Sequence, residues 1–135
     1  MASKKVHINP DGLFSNPAFS QVVSTQGSGK TIYIGGQNSV NEKGEIIGKN
    51  DIAVQSNQAL KNVGIALEAC GADFNNLVKL NIYFVQGQAL NKAFEASRNL
   101  FANLREQPIV SVLFVAGLAN SDFLIEVEAT AFIPE

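Results

Sequence analysis

The sequence predicts an α/β (α+β) domain in which a single mixed sheet carries two helices on one face. Three observations carry this. Residues 51–70 repeat apolar side chains at helical spacing. Residues 77–85 alternate apolar and polar side chains as a half-buried strand does. Residues 109–115 form a short apolar run that opens after a proline and is rich in β-branched residues. The order is strands, helix, strand, helix, strand, strand, and the 135 residues suit one domain, 1–135.

Taken in order, Val6–Ile8 reads as a short strand that stops at the turn cluster Asn9-Pro10-Asp11-Gly12. Residues 21–25 and 31–34 read as strands separated by the tight connection Gly27-Ser28-Gly29. Gly35-Gly36 follows at once, and two glycines at a strand end mark a bulge or a close backbone approach. Residues 40–47 read as a hairpin around Lys43-Gly44. The first helix, 51–70, has Asn50 or Asp51 as its cap and Gly71 as its stop, with Ile52, Leu60, Val63, Leu67 and Cys70 on its apolar stripe. In the strand at 77–85, Val78, Leu80, Ile82 and Phe84 face one way, and Lys79, Asn81 and Tyr83 the other. The second helix, about 89–104, is expected to bury Leu90, Ala93, Phe94, Leu100, Phe101 and Leu104. The strands at 109–115 and 123–132 close the chain.

The run at 109–115 sets a packing problem. It puts Ile109, Leu113 and Val115 on one side and Val110, Val112 and Phe114 on the other, so it calls for cover on both faces. Two helices cover one face only. The chain then has no element left, which points to self-association. A composition with 46% hydrophobic and 16% charged residues fits extra burial between subunits.

Charge and residue counts narrow the chemistry. The net charge is −2 and no basic cluster occurs, so no nucleic-acid partner is expected. Cys70 is the only cysteine and His7 the only histidine, which excludes an intrachain disulfide, a multi-thiolate metal site and a His cluster. No metal or cofactor is expected. Residues 1–12 lack an apolar signal region and no stretch approaches transmembrane length, so a cytoplasmic protein with no membrane partner is expected. Among candidate groups, Glu126 and Glu128 lie on one strand face, where they can orient water or simply face solvent. Ser111 is the one polar side chain of residues 109–116 and can bond a ligand or its own backbone. Cys70 reads as core and His7 as surface. Arg98 and Arg105, on and after the second helix, read as a solvated face near a helix end.

The segments IYIGGQ, QALKNVGIALEACGADFNNLVKLNIYFV, QPIVSVLFVAGL and IEVEATAFIP strongly resemble, in order, the Rid (reactive intermediate deaminase) family, also called YjgF, over residues 15–134. The resemblance implies a chorismate-mutase-like fold and a homotrimer with a central β-barrel and ligand clefts between subunits. It also implies cofactor-free hydrolysis of enamines and imines such as 2-iminobutanoate to a 2-keto acid and ammonia. Deaminating members carry an arginine two residues after a proline, whose guanidinium grips the substrate carboxylate. Here the segment is Pro108-Ile109-Val110-Ser111, and Val110 stands where the arginine would be. Phe19 stands for a cleft tyrosine, Gly35, before Gly36-Gln37, for a serine, and Phe94 for an asparagine. Glu126 matches the glutamate that orients water.

A hydrogen bond to a charged group contributes roughly 1.5–3 kcal/mol, so loss of the grip is expected to make deamination weak or absent. The expected ligand is then an imino or keto acid or a more apolar metabolite, in a cleft with Phe19, Gly35, Gly36, Phe94, Val110 and Ser111 as binding residues and Glu126 as the catalytic one. Enzymatic activity stays open. One alternative is an active 2-iminobutanoate/2-iminopropanoate deaminase that holds the carboxylate by backbone N–H groups and a substitute side chain. The other is a non-catalytic trimer with a regulatory or chaperone-like role.

Overall fold

The computed structural model describes residues 2–135. The chain runs β1 (Lys4–Ile8), β2 (Val22–Gln26), β3 (Gly29–Gln37), α1 (Ile52–Ala69), β4 (Leu77–Val85), α2 (Leu90–Phe101), β5 (Ile109–Val115) and β6 (Ile125–Pro134), with one 3-10 turn at Phe74–Asn76 before β4. The main sheet has the order β3-β6-β4-β5, in which β4 and β5 are parallel and the other pairs antiparallel. The mixed sheet and its two helices agree with the expected α+β class. The expectation of a single sheet is corrected: β1 and β2 pair only with each other, from Lys4↔Gln26 to Ile8↔Val22. Neither strand has a deeply buried side chain, so neither needs a place within the larger sheet. At Gly27 the chain takes a φ of 80°, open to glycine at little cost, and leaves β2 for the other sheet.

α1 forms where its stripe and caps agree. The Asp51 side chain accepts from the Val54 N–H at 3.1 Å, and Gly71, with a φ of 77°, follows the C-terminal end. Ala59, Val63 and Leu67 are fully buried and join Leu77, Leu80, Phe84, Val127 and Ala131 in one core. In β4 the pairing with β6 shifts between Leu77 and Lys79, so Leu77 takes the core position expected of Val78. Residues 40–47 make one isolated bridge, Val40↔Ile46, and not the ladder of a hairpin.

One polar residue does what a core hydrophobe cannot. Gln55 of α1 is fully buried and donates to the carbonyls of Gly48, at 3.1 Å, and Asp122, at 3.0 Å, while accepting from the Leu124 N–H at 2.9 Å. It thereby fastens the start of α1 to two loops. Gln55→Leu leaves these backbone groups unpaired and should lower unfolding stability by about 3 kcal/mol, read from urea denaturation.

α2 departs from its expected role. It ends at Phe101, three residues short of the predicted Leu104, where Gln107 Nε2 donates to the Phe101 carbonyl at 3.3 Å. Only Ala93 and Ser97 are buried, and Phe94 stays 46% exposed. Asn57 Nδ2 of α1 donates to the Ala96 carbonyl at 3.0 Å and holds the helices together on that side. On the opposite side Leu90 and Phe101 are only partly buried against the core, and Phe94 meets the sheet through the Phe84 ring of β4. β5 is the edge strand, and Val112, Leu113 and Phe114 remain exposed on its two faces. No helix among the described residues is long and apolar enough to cross a membrane.

Candidate functional site

Between α2 and the β4–β5 half of the sheet lies a cleft of about 850 Å³. Leu80 and Ile82 of β4 with Val110 and Val112 of β5 form its floor, and Leu90, Phe94 and Phe101 of α2 form a wall. The strand register explains the floor. Leu80 pairs with Val110 and Ile82 with Val112, so these four side chains point to the helix side together. Leu90, Phe94 and Phe101 of the α2 stripe that reads as core thus line a cavity, while Ala93 is buried in the core. Phe94 is positioned by the Phe84 ring, edge-on at a centroid distance of 6.2 Å.

Phe19 closes the cleft from the segment before β2. That segment is tied to the start of β5. The Ser20 N–H donates to the Pro108 carbonyl at 3.0 Å, and Ser20 Oγ donates to the Gln107 carbonyl at 2.6 Å. His7 Nδ1 lies 2.7 Å from the same Gln107 carbonyl and donates to it, so His7 is half-buried and structural, not the surface residue expected.

The remaining predicted residues lie elsewhere. Ser111 is next to Val110 in β5 and points to the opposite face, in register with Asn81. Glu126 shares that far face, since it pairs with Tyr83. In one protomer the sheet therefore separates Glu126 and Ser111 from the cleft that holds Phe19, Phe94 and Val110. Gly35 and Gly36 sit in a bulge of β3, where the pairing with β6 shifts between Ile34 and Gln37. The expected bulge is present, and Gly36 has a further use. A Cβ there would lie 2.6 Å from the Glu126 carboxyl carbon, so the missing side chain leaves room for that carboxylate. Gly36→Ala should push Glu126 aside while changing stability by no more than about 0.5 kcal/mol, a pair of outcomes read from a crystal structure and a urea titration.

The two glutamates differ in how free they are. The Glu128 carboxylate accepts from the Tyr83 hydroxyl, and Asn81 Nδ2 donates to it at 3.3 Å. The bond to Glu128, with desolvation and the nearby carboxylates, raises the Tyr83 phenol pKa. Among the described residues Glu126 accepts from Asn38 Nδ2 alone, at 3.3 Å, which leaves lone pairs for another partner. Among the described residues no three His, Cys, Asp or Glu side chains gather into a metal site. Cys70 caps the C-terminal end of α1 and is half-buried, in keeping with its reading as packing.

The cleft also contains residues that the sequence did not place there. Arg98 and Glu95 of α2 line it. The signal was available: Leu90, Phe94 and Arg98 recur at intervals of four, which puts all three on one helix side.

Fold and cleft define an α+β protein with two helices on a mixed sheet and an apolar cleft beside its edge strand. Residues 13–133 match the family described as Endoribonuclease L-PSP. The chain belongs to that family, also called Rid or YjgF. It is 32% identical over 115 residues to a RutC family protein of Pyrococcus horikoshii, covering 84% of this chain and 86% of that one. It is 32% identical over 102 residues to the human 2-iminobutanoate/2-iminopropanoate deaminase, covering 76% of this chain and 72% of that one. A crystal structure of a Rid family protein from Yersinia pestis, of unknown function, superposes with a TM-score of 0.85 at 31% identity, covering 96% of this chain and 98% of that one.

Proposed function

We propose that this protein binds a small metabolite in the cleft beside α2, and that the apolar body of the ligand rests where a deaminase of the family would hold a carboxylate. The observation that carries this reading is the meeting of Phe19, Phe94 and Val110 in one cleft with an apolar floor. A carboxylate set against Val110 loses its water and gains no charged partner there, which disfavours the smallest 2-imino acids. Deamination of 2-iminobutanoate is accordingly weak or absent in the native protein. The test is thermal shift with a panel of small ligands. Neutral or largely apolar compounds should raise the melting temperature more than 2-oxobutanoate does, and a cleft that answers only to small carboxylates would end the reading.

Glu126 is the residue proposed to act on water if hydrolysis occurs. Because it lies on the far side of the sheet from Val110, a site that uses both draws them from two copies of the chain. The exposed apolar faces of β5 favour such an assembly, and the homotrimer with a central barrel is the proposed form. The similarity to the human deaminase favours the enzymatic version of this reading, and the valine at 110 tells against it for small substrates.

A further inference from the structure

We propose that Arg98 is a specificity residue: it binds the carboxylate of an amphipathic monocarboxylate at the rim of the cleft, while the apolar tail of that ligand lies over Val110 and Phe94. The inference rests on the reading of the cleft as a ligand site and adds the class of ligand and its orientation, with the charged end at the helix and not at the sheet.

The polar groups around the cleft are unequal. Ser97 Oγ donates to the Ala93 carbonyl at 2.9 Å, and Gln107 Nε2 donates to the Phe101 carbonyl at 3.3 Å, so both are engaged with backbone. Arg98 makes neither an ion pair nor a side-chain hydrogen bond among the described residues, where the one ion pair is Lys49–Asp122. Its guanidinium, with five donors in a planar fork, is the free cation of the cleft. Glu95 lies on the same rim three residues earlier, close enough in sequence to form an ion pair, yet none is made. It opposes a second negative charge on the ligand, which favours a monoanion over a dianion.

Size sets the tail. A cleft of about 850 Å³ falls in the range that encloses drug-sized molecules, well beyond a four-carbon acid. The floor and inner wall offer such a tail Leu80, Ile82, Val110, Val112 and Phe94, with no charge among them. Arg98 is exposed, so an ion pair there sits at the weak end of charge-assisted hydrogen bonds and is worth about tenfold in affinity.

The test is isothermal titration calorimetry of the full chain with three probes: phenylpyruvate, the neutral ketone benzylacetone, and 2-oxobutanoate. The native protein should bind phenylpyruvate at least about tenfold more tightly than 2-oxobutanoate. Arg98→Gln should weaken phenylpyruvate about tenfold and leave benzylacetone within about twofold, and Arg98→Lys should recover part of the loss. Unchanged phenylpyruvate affinity in Arg98→Gln overturns the proposal, and so does an equal loss for both aromatic probes, because that is damage to the cleft and not loss of a charge partner. If benzylacetone binds and phenylpyruvate does not, the cleft remains a ligand site and the role of Arg98 falls. If neither binds, both readings fall.

Discussion

Val110→Arg should raise the affinity for 2-oxobutanoate by about ten- to hundredfold, the equivalent of one charge-assisted grip of 1.5–3 kcal/mol. The position suits the change. Val110 is half-buried on the cleft floor, in register with Leu80, and its side chain lines the cleft. The stem of an arginine can lie across the apolar floor while its head reaches the open side, so the fold should tolerate it. Titration calorimetry on both proteins measures the effect. An affinity unchanged by the new guanidinium would mean that the floor of this cleft does not receive the carboxylate.

Leu113→Glu should break the proposed trimer. Leu113 is 49% exposed on the far face of β5, and Tyr33 on the same side of the sheet, at its other edge, is 81% exposed. Apolar groups in such positions gain by burial against another copy, and a carboxylate placed among them loses its water with no partner. Light scattering behind a sizing column should give the native protein three times its 14.4 kDa chain mass and the variant the chain mass itself. A native protein that runs at the chain mass would remove the proposed trimer, and with it the means of joining Glu126 to the cleft.

The parts of the fold legible in the sequence were those in which one local signal decides. α1 is bounded by a capping aspartate and a terminating glycine, and β4 is marked by the alternation that runs from Lys79 onward. Where tertiary geometry decides, the reading went astray. The bulge after Leu77 exchanged its side chain for that of Val78 in the core, and no residue type announces it. The apolar stripe of α2 was visible, but periodicity says which side of a helix is apolar and not whether the neighbouring sheet closes on it. It does not close here, so Phe94 faces a cleft and Arg98, one turn further along, reaches the same space. The site itself was half legible. Of the residues that the family resemblance implies for the site, Phe19, Phe94 and Val110 line one cleft, while the separation of Glu126 and Ser111 onto the other face follows from a strand register that only the structure supplies.

The Gly36–Glu126 contact shows how the two levels meet. The glycine pair reads in the sequence as a bulge, and in the fold the second glycine also makes space for a carboxylate that has a single donor among the described residues. Such a carboxylate is suited to holding a water molecule, provided that a substrate is delivered to it. On the proposed reading of the cleft, Val110 withholds that delivery from small imino acids.

The most direct test of this account follows the decay of 2-iminobutanoate, generated in place by threonine dehydratase, with native protein, Val110→Arg, and Val110→Arg combined with Glu126→Gln. The account predicts decay close to buffer for the native protein, at least about a tenfold acceleration with Val110→Arg, and loss of that gain in the double variant. Rapid decay with the native protein, or a gain in Val110→Arg that survives in the double variant, would contradict it.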